Sequence, residues 1–242
     1  MKVWLFTFCL TLIAITNLNA QGFKQGDIIL NGNYGGPQVT PAVLRTALKV
    51  YYKTNKNPND NFSFAISNSG VLNGKAEYGV TGEAGLGFAA SYWDMAINVK
   101  NNYEDIDPTD NTSKSFEDNY DFKVSALAMG LRGNYHFVEE GKMKKIDPYL
   151  GFTLGATQYK YDLAFTTNYP NKTLPVNVYK FKSGWGSYIS TTIGIRYYPV
   201  SFIGLNAEAG WDRGAFLFGG IVFRLHSKPP KFLRDEEEKK KE

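Results

Sequence analysis

Hydrophobic and polar residues alternate with a period of two through eight separate stretches of the chain: 26–36, 71–80, 84–99, 122–137, 148–161, 185–198, 203–211 and 215–225. A period of two sends successive side chains to opposite faces of a strand, so each stretch predicts one β-strand. The last of them reads AFLFGGIVFRL. Its alternation places Ala215, Leu217, Gly219, Ile221, Phe223 and Leu225 on one face, and Phe216, Phe218, Gly220, Val222 and Arg224 on the other.

The other stretches show what kind of faces these are. In the seventh, Ile203, Leu205, Ala207, Ala209 and Trp211 oppose Gly204, Asn206, Glu208, Gly210 and Asp212. In the fourth, Leu127, Met129, Leu131, Tyr135 and Phe137 oppose Ala126, Ala128, Gly130, Arg132, Asn134 and His136. Charged residues thus share a face with glycine and other small residues. On a solvated outer face nothing requires that pairing. In the interior of a narrow eight-stranded barrel, small residues make room for long charged ones, because side chains must fill the space. The apolar face then points outward, to lipid.

The connections support the same topology. VTGEA, PVSFI and VEEGKMKKID join strands two to three, six to seven and four to five, whereas 37–70, 100–121 and 162–184 are long and polar. Only the DRG link before the last strand is tight where a long loop is expected. Short turns at one end and long loops at the other suit a membrane barrel with both termini on the periplasmic side. The expected fold is all-β, an eight-stranded antiparallel transmembrane β-barrel with up-and-down connections. Tyr34, Tyr78, Tyr92, Trp93, Tyr135, Tyr149, Trp185, Tyr197 and Trp211 fall toward strand ends, where aromatic girdles meet the headgroups.

Composition narrows the setting. Residues 1–20 carry Lys2, an apolar run and Ala20, the layout of a cleaved signal peptide, with an apolar core shorter than the ~20 residues of a spanning helix. The single cysteine, Cys9, lies in that segment, so thiol chemistry is excluded from the mature chain. A formal net charge of +4, without a basic stripe, gives no sign of nucleic acid. The domain layout is then signal peptide 1–20, barrel 21–225, and a charged tail 226–242 ending RDEEEKKKE, which is expected to stay solvated in the periplasm.

Several segments carry a resemblance: GNYGGP at 32–37, AEYGVT at 76–81, GLGFAASY at 85–92, IRYYPVSFIGLNAEAGW at 195–211 and FGGIVFRL at 218–225. Together they resemble the small eight-stranded outer-membrane barrels of Gram-negative bacteria, the OmpA-barrel, OmpX and OmpW-like group often called the porin family. FGGIVFRL is similar to their insertion signal, with Gly220, Phe223 and Leu225 at the glycine and hydrophobic positions. It departs from that signal in having Leu225 where an aromatic is usual and in being followed by a tail. The resemblance implies outer-membrane lipid and lipopolysaccharide as surroundings and the barrel assembly machinery as a partner. It leaves the task open, since members include structural tethers, adhesins, small channels and a few lipid-modifying enzymes.

The candidate site is the set of inward charges: Lys75, Glu77, Arg132, Arg196, Glu208 and Arg224. Glu77 and Glu208 are expected to pair with Arg132 and Arg196, because unpaired charge in so narrow an interior costs several kcal/mol. As a plug they make a structural or surface-interaction barrel whose long loops meet extracellular partners; as a gate, a narrow channel for ions or small, hydrophobic solutes. Catalysis is not expected, since His136 and His226, the two histidines, both fall at the periplasmic end. No cofactor or metal is called for, and the acidic loop at 105–111 does not match a calcium loop. Finally, 40–52 predicts a short helix, Thr40 its N-cap, with Val43, Leu44, Ala47, Leu48 and Tyr51 as an apolar stripe that packs on the barrel rim, caps the barrel mouth, or meets another protein or lipid.

Overall fold

The structure is a computed structural model and describes residues 23–55, 61–137, 145–172 and 183–226. The signal segment, Cys9 and the tail beyond His226 lie outside the described residues, as do 138–144 and 173–182. Eight strands form in chain order: β1 (Asp27–Gln38), β2 (Asn61–Gly79), β3 (Ala84–Ile106), β4 (Ser113–His136), β5 (Ile146–Thr167), β6 (Gly184–Val200), β7 (Ile203–Asp212) and β8 (Ala215–His226). Each pairs antiparallel with the next, and β8 pairs with β1 from His226↔Asp27 to Ala215↔Gln38, closing the barrel. Closure leaves no free edge around the ring.

The outer face is apolar through one continuous band. Tyr135, Leu131, Met129 and Leu127 on β4, Leu150, Phe152 and Leu154 on β5, and Leu205 and Trp211 on β7 are all exposed. The inner face carries the buried polar residues. From Leu127 to Tyr135 at ~3.3 Å per residue, with strands tilted ~40°, the band stands about 20 Å tall.

Four strands outrun their expected lengths. Stretches 61–70, 100–106, 113–121 and 162–167, expected as loop, are parts of β2 to β5. The β3–β4 ladder continues without a break to Ile106↔Ser113. Their outward faces there carry Asn, Ser, Lys and Asp, which reads as loop in sequence, while Phe64 and Ile66 turn inward to pack with Met95, Phe122 and Val124 of the expected strands. The mouth is therefore lopsided. β2 to β5 form a tall wall, and β1, β6, β7 and β8 a low rim.

At that rim Arg213 and Gly214 both adopt left-handed backbone, with φ of 52° and 79°. This is the two-residue type I′ hairpin that suits the twist of paired strands. A register shift between Ala209 and Asp212 precedes it. As a result, simple alternation fails at the start of β8: Ala215 is buried, and Phe216 turns outward against Trp211, ring centroids 5.2 Å apart. Two girdle expectations also change, since Tyr149 is fully buried in the lumen and Trp93 packs inward beside Val71 and Phe218.

The helix, α1 (Val39–Asn55), starts directly after β1 and one residue before Thr40, which therefore is not its N-cap. The Val39 amide donates to the Gly214 carbonyl at 3.0 Å instead, tying the helix start to the β7–β8 turn. Leu44 and Leu48 pack on the Ile66, Met95 and Val124 cluster, and Tyr52 stacks on Phe62. Val43 and Tyr51 stay exposed. The helix thus lies against the inner face of the tall wall, over the mouth, which is the capping placement and not the rim packing that the sequence favoured.

Candidate functional site

Read upward from the short-turn end, the lumen is a stack of layers. Phe23, fully buried ahead of β1, stacks on the His136 ring with centroids 3.4 Å apart and planes 4° off parallel. His136 is held between two carboxylates: Nδ1 is 2.6 Å from Asp147 Oδ1, and Nε2 is 2.7 Å from Glu77 Oε1. Ionised carboxylates can only accept, so with both acids ionised each ring nitrogen donates and His136 carries the second positive charge of the layer. Arg196 closes the circle, donating from Nη1 to Asp147 at 3.1 Å and from Nη2 to Glu77 at 2.7 Å. Its guanidinium lies 4.0 Å from the Tyr149 ring centroid. Two cations and two anions balance in this lowest layer.

Above it, Glu208 on β7 takes Lys75 from β2 and the Tyr149 hydroxyl from β5, with Arg132 Nη2 from β4 at 3.5 Å. Arg132 also donates to Thr153 and Thr192 at 3.2 and 2.8 Å. The glycines beside these groups supply space. A Cβ on Gly151 would meet the Arg132 guanidinium, one on Gly85 the Glu77 carboxylate, and one on Gly194 the Tyr149 ring. The third layer is Asp212, which accepts from Asn73 at 2.5 Å, Ser91 at 3.3 Å and Tyr188 at 3.0 Å. Across the three layers Lys75, Arg132, His136 and Arg196 meet Glu77, Asp147 and Glu208, while Asp212 is held by the neutral donors Asn73, Ser91 and Tyr188.

Over the third layer the interior becomes apolar. Phe218, Val71 and Ala215 are buried together with Trp93 against them, and α1 covers the cluster beyond. Arg224 lies at the opposite, lower rim, donating from Nε to the Ser201 carbonyl at 3.1 Å with its guanidinium 4.0 Å from the Tyr198 ring centroid.

The six inward charges expected from sequence all point into the barrel and are buried. Glu77 meets Arg196 and Glu208 meets Arg132, while Arg224 stands apart from that network. His136, Asp147, Asp212 and Tyr149 also belong to it; His136 and Asp212 had been placed on the inward face but not among the candidate charges. The parity of the strands carries the signal: His136 alternates with Arg132 and Asn134, and Asp212 with Glu208. Asp147 is lost when β5 is begun at Pro148, two residues late. Gly220 faces inward, and Phe223 and Leu225 face outward and are exposed.

Outside the band, the acidic loop at 105–111 is a tight hairpin tip. Lys114 Nζ reaches Asp107 at 2.7 Å and Asp110 at 2.5 Å, and Asp107 also accepts from the Thr109 amide and hydroxyl. Those bonds, the one from Lys114 foremost, hold the Asp107 carboxyl down at about 2. On the same wall, partial burial opposes the charge of Lys172, but Asp118 at 2.5 Å and the Tyr103 hydroxyl outweigh it and push Lys172 up to about 12. No group of three or more His, Cys, Asp or Glu placed to hold a metal occurs among the described residues. None of their helices is long and apolar enough to cross a membrane.

No family model matches the chain, and no curated protein matches it. Among solved structures it is similar to the outer membrane protein OprG from Pseudomonas aeruginosa, at 14% identity over 85% of this chain and 99% of that one, with a TM-score of 0.45. The N-terminal β-barrel domain of Pseudomonas aeruginosa OprF is 14% identical over 84% of this chain and 99% of that one, TM-score 0.38. Ail, the attachment invasion locus protein of Yersinia pestis, solved with the heparin analogue sucrose octasulfate, is 10% identical over 83% and 99%, TM-score 0.33. The chain is an eight-stranded antiparallel β-barrel, and its function has to be sought in its own residues.

Proposed function

We propose that this is an outer-membrane β-barrel whose lumen is a core rather than a passage, and whose business is done at the outer mouth. A closed barrel with a 20 Å apolar outer band is the form in which strands satisfy their backbone in lipid, and the band's height is close to the ~25 Å of such barrels. In this reading residues 1–20 are removed on export, 21–225 form the barrel, and 226–242 remain in the periplasm. Gly220, Phe223 and Leu225 are read by the assembly machinery, and lipid and lipopolysaccharide surround the band.

The observation that carries the structural reading is the unbroken stack from Phe23 through three charge layers to Phe218 and α1. A water path would have to separate ion pairs buried on all sides, at a cost of several kcal/mol for each charge exposed to the low-dielectric interior without its partner. The tall wall of β2 to β5, polar outside and capped by the helix within, is the surface offered to extracellular partners. The network has no group poised to attack a substrate, because each of its acids and bases is already bound to another side chain.

Conductance of the refolded mature protein in a planar bilayer tests this, beside a variant with Arg132 and Glu208 both neutralised. Folding is checked by the shift in gel mobility on boiling. A silent wild type is expected; steady openings altered by the double change would overturn the plugged lumen.

A further inference from the structure

We propose that the low side of the mouth holds a binding site for a small carboxylate carried on a flat apolar body, with Arg213 as its anion-binding residue. The opening arises from strand lengths. β7 stops at Asp212, while β6 runs on past its last pairing with β7 nearby, Thr191↔Trp211. The wall therefore parts between β6 and the β7–β8 turn. A cavity of about 330 Å³ occupies the gap, lined by Thr40, Trp93, Tyr159, Tyr188, Trp211 and Arg213. That volume is at the small end of ligand pockets and suits a single-ring molecule.

The guanidinium is the unusual member. Nη1 donates to the Tyr159 hydroxyl at 3.0 Å, and the group stands 4.7 Å from the Tyr188 ring centroid. Nε and Nη2 are shielded from solvent and have no hydrogen-bond partner among the described residues. These two donors form one edge of the guanidinium, and a carboxylate engages it through two parallel bonds once the side chain turns that edge into the cavity. Arginine cannot shed its charge, so the unmet edge stays cationic. Arg132 and Arg196 each face a carboxylate in the lumen. Asp212, the acid next to Arg213 in sequence, points down to Asn73, Ser91 and Tyr188 and is already engaged. Trp93, Tyr159, Tyr188 and Trp211 add aromatic lining for a ring-shaped apolar body.

The inference stands whether or not the lumen conducts. The test uses the refolded mature protein in detergent micelles, with benzoate as probe and benzamide as its uncharged counterpart, followed by the fluorescence of Trp93 and Trp211. Benzoate should give a saturable change in the millimolar range (~1 mM is ordinary for so small a ligand) and benzamide a response at least about tenfold weaker. Arg213→Gln should weaken benzoate about tenfold or more, and Arg213→Lys, which keeps charge without the fork, by less. Equal responses to benzoate and benzamide, no saturable response to benzoate, or unchanged binding by folded Arg213→Gln would each overturn the site. If Arg213→Gln does not fold, the benzoate and benzamide comparison on the wild type decides alone.

Discussion

Arg196 is the residue on which the lowest layer depends, and replacing it with methionine tests whether the lumen is a core. The change keeps much of the side-chain volume against Tyr149 but removes both charge-assisted bonds, to Glu77 at 2.7 Å and Asp147 at 3.1 Å. Two buried carboxylates then share one imidazolium. Both pairs are buried beyond the reach of solvent screening, so the full penalty for breaking a buried pair applies, and about 4 kcal/mol of stability should be lost. Glu77→Gln leaves the opposite surplus, with Arg196 and His136 facing Asp147 alone, and should cost about 3 kcal/mol. The double variant restores balance through the remaining His136 and Asp147 pair. Its cost should be about 5 kcal/mol instead of the additive 7, a coupling of about 2 kcal/mol. The assay is urea unfolding in lipid vesicles, followed by tryptophan fluorescence, with slopes checked for constancy across variants. Additivity within about 0.5 kcal/mol would refute the reasoning, because two groups that truly share a buried pair cannot be lost independently.

Two further outcomes follow from the geometry. At the β8–β1 seam, a Cβ on Gly220 would meet the Gly32 carbonyl and Asn33, whereas one on Gly219 meets nothing within 4 Å; Gly220→Ala should cost about 1–3 kcal/mol and lower folded yield on heat-modifiability gels, and Gly219→Ala should not. At the hairpin tip, Asp107 is held down at about 2, so the order it lends is present above the unfolded value near ~4 and is lost as pH falls through about 2. Amide shifts of Thr109 and Asn111 should report that loss, and Asp107→Asn should abolish its pH dependence.

The barrel was legible because its signal is repeated eight times. Strand count, order, antiparallel pairing and the sidedness of the middle of each strand all follow from alternation combined with the partition of charge and glycine. The ends were not legible. Residues 61–70 and 113–121 read as loop because, above the apolar band, the strands carry Asn, Ser and Lys on their outer face. The alternation survives only in the inner residues, such as Phe64 and Ile66, and half a signal between polar neighbours looks like none. The β7–β8 register shift has a different cause. A tight type I′ turn sets its own geometry, and the irregular pairing before it moves Ala215 to the inner face and Phe216 to the outer one, which no fixed period can anticipate.

The charge network was half legible for a related reason. Parity along one strand tells which way a side chain points, and that sufficed for Lys75, Glu77, Arg132, Arg196 and Glu208. What a side chain meets across the lumen depends on the height at which each strand enters the layer, set by the shear of the closed barrel. Glu77 and His136 come from strands that are not adjacent, so their contact has no local signature. Yet charge offers a second constraint: among the residues expected inward, Lys75, Arg132, Arg196 and Arg224 outnumber Glu77 and Glu208, and a surplus of buried charge is costly. A further acid had to be inward, even before His136 joined the cations. Asp147 and Asp212, each at inward parity at the end of a strand, were the nearest candidates for that role.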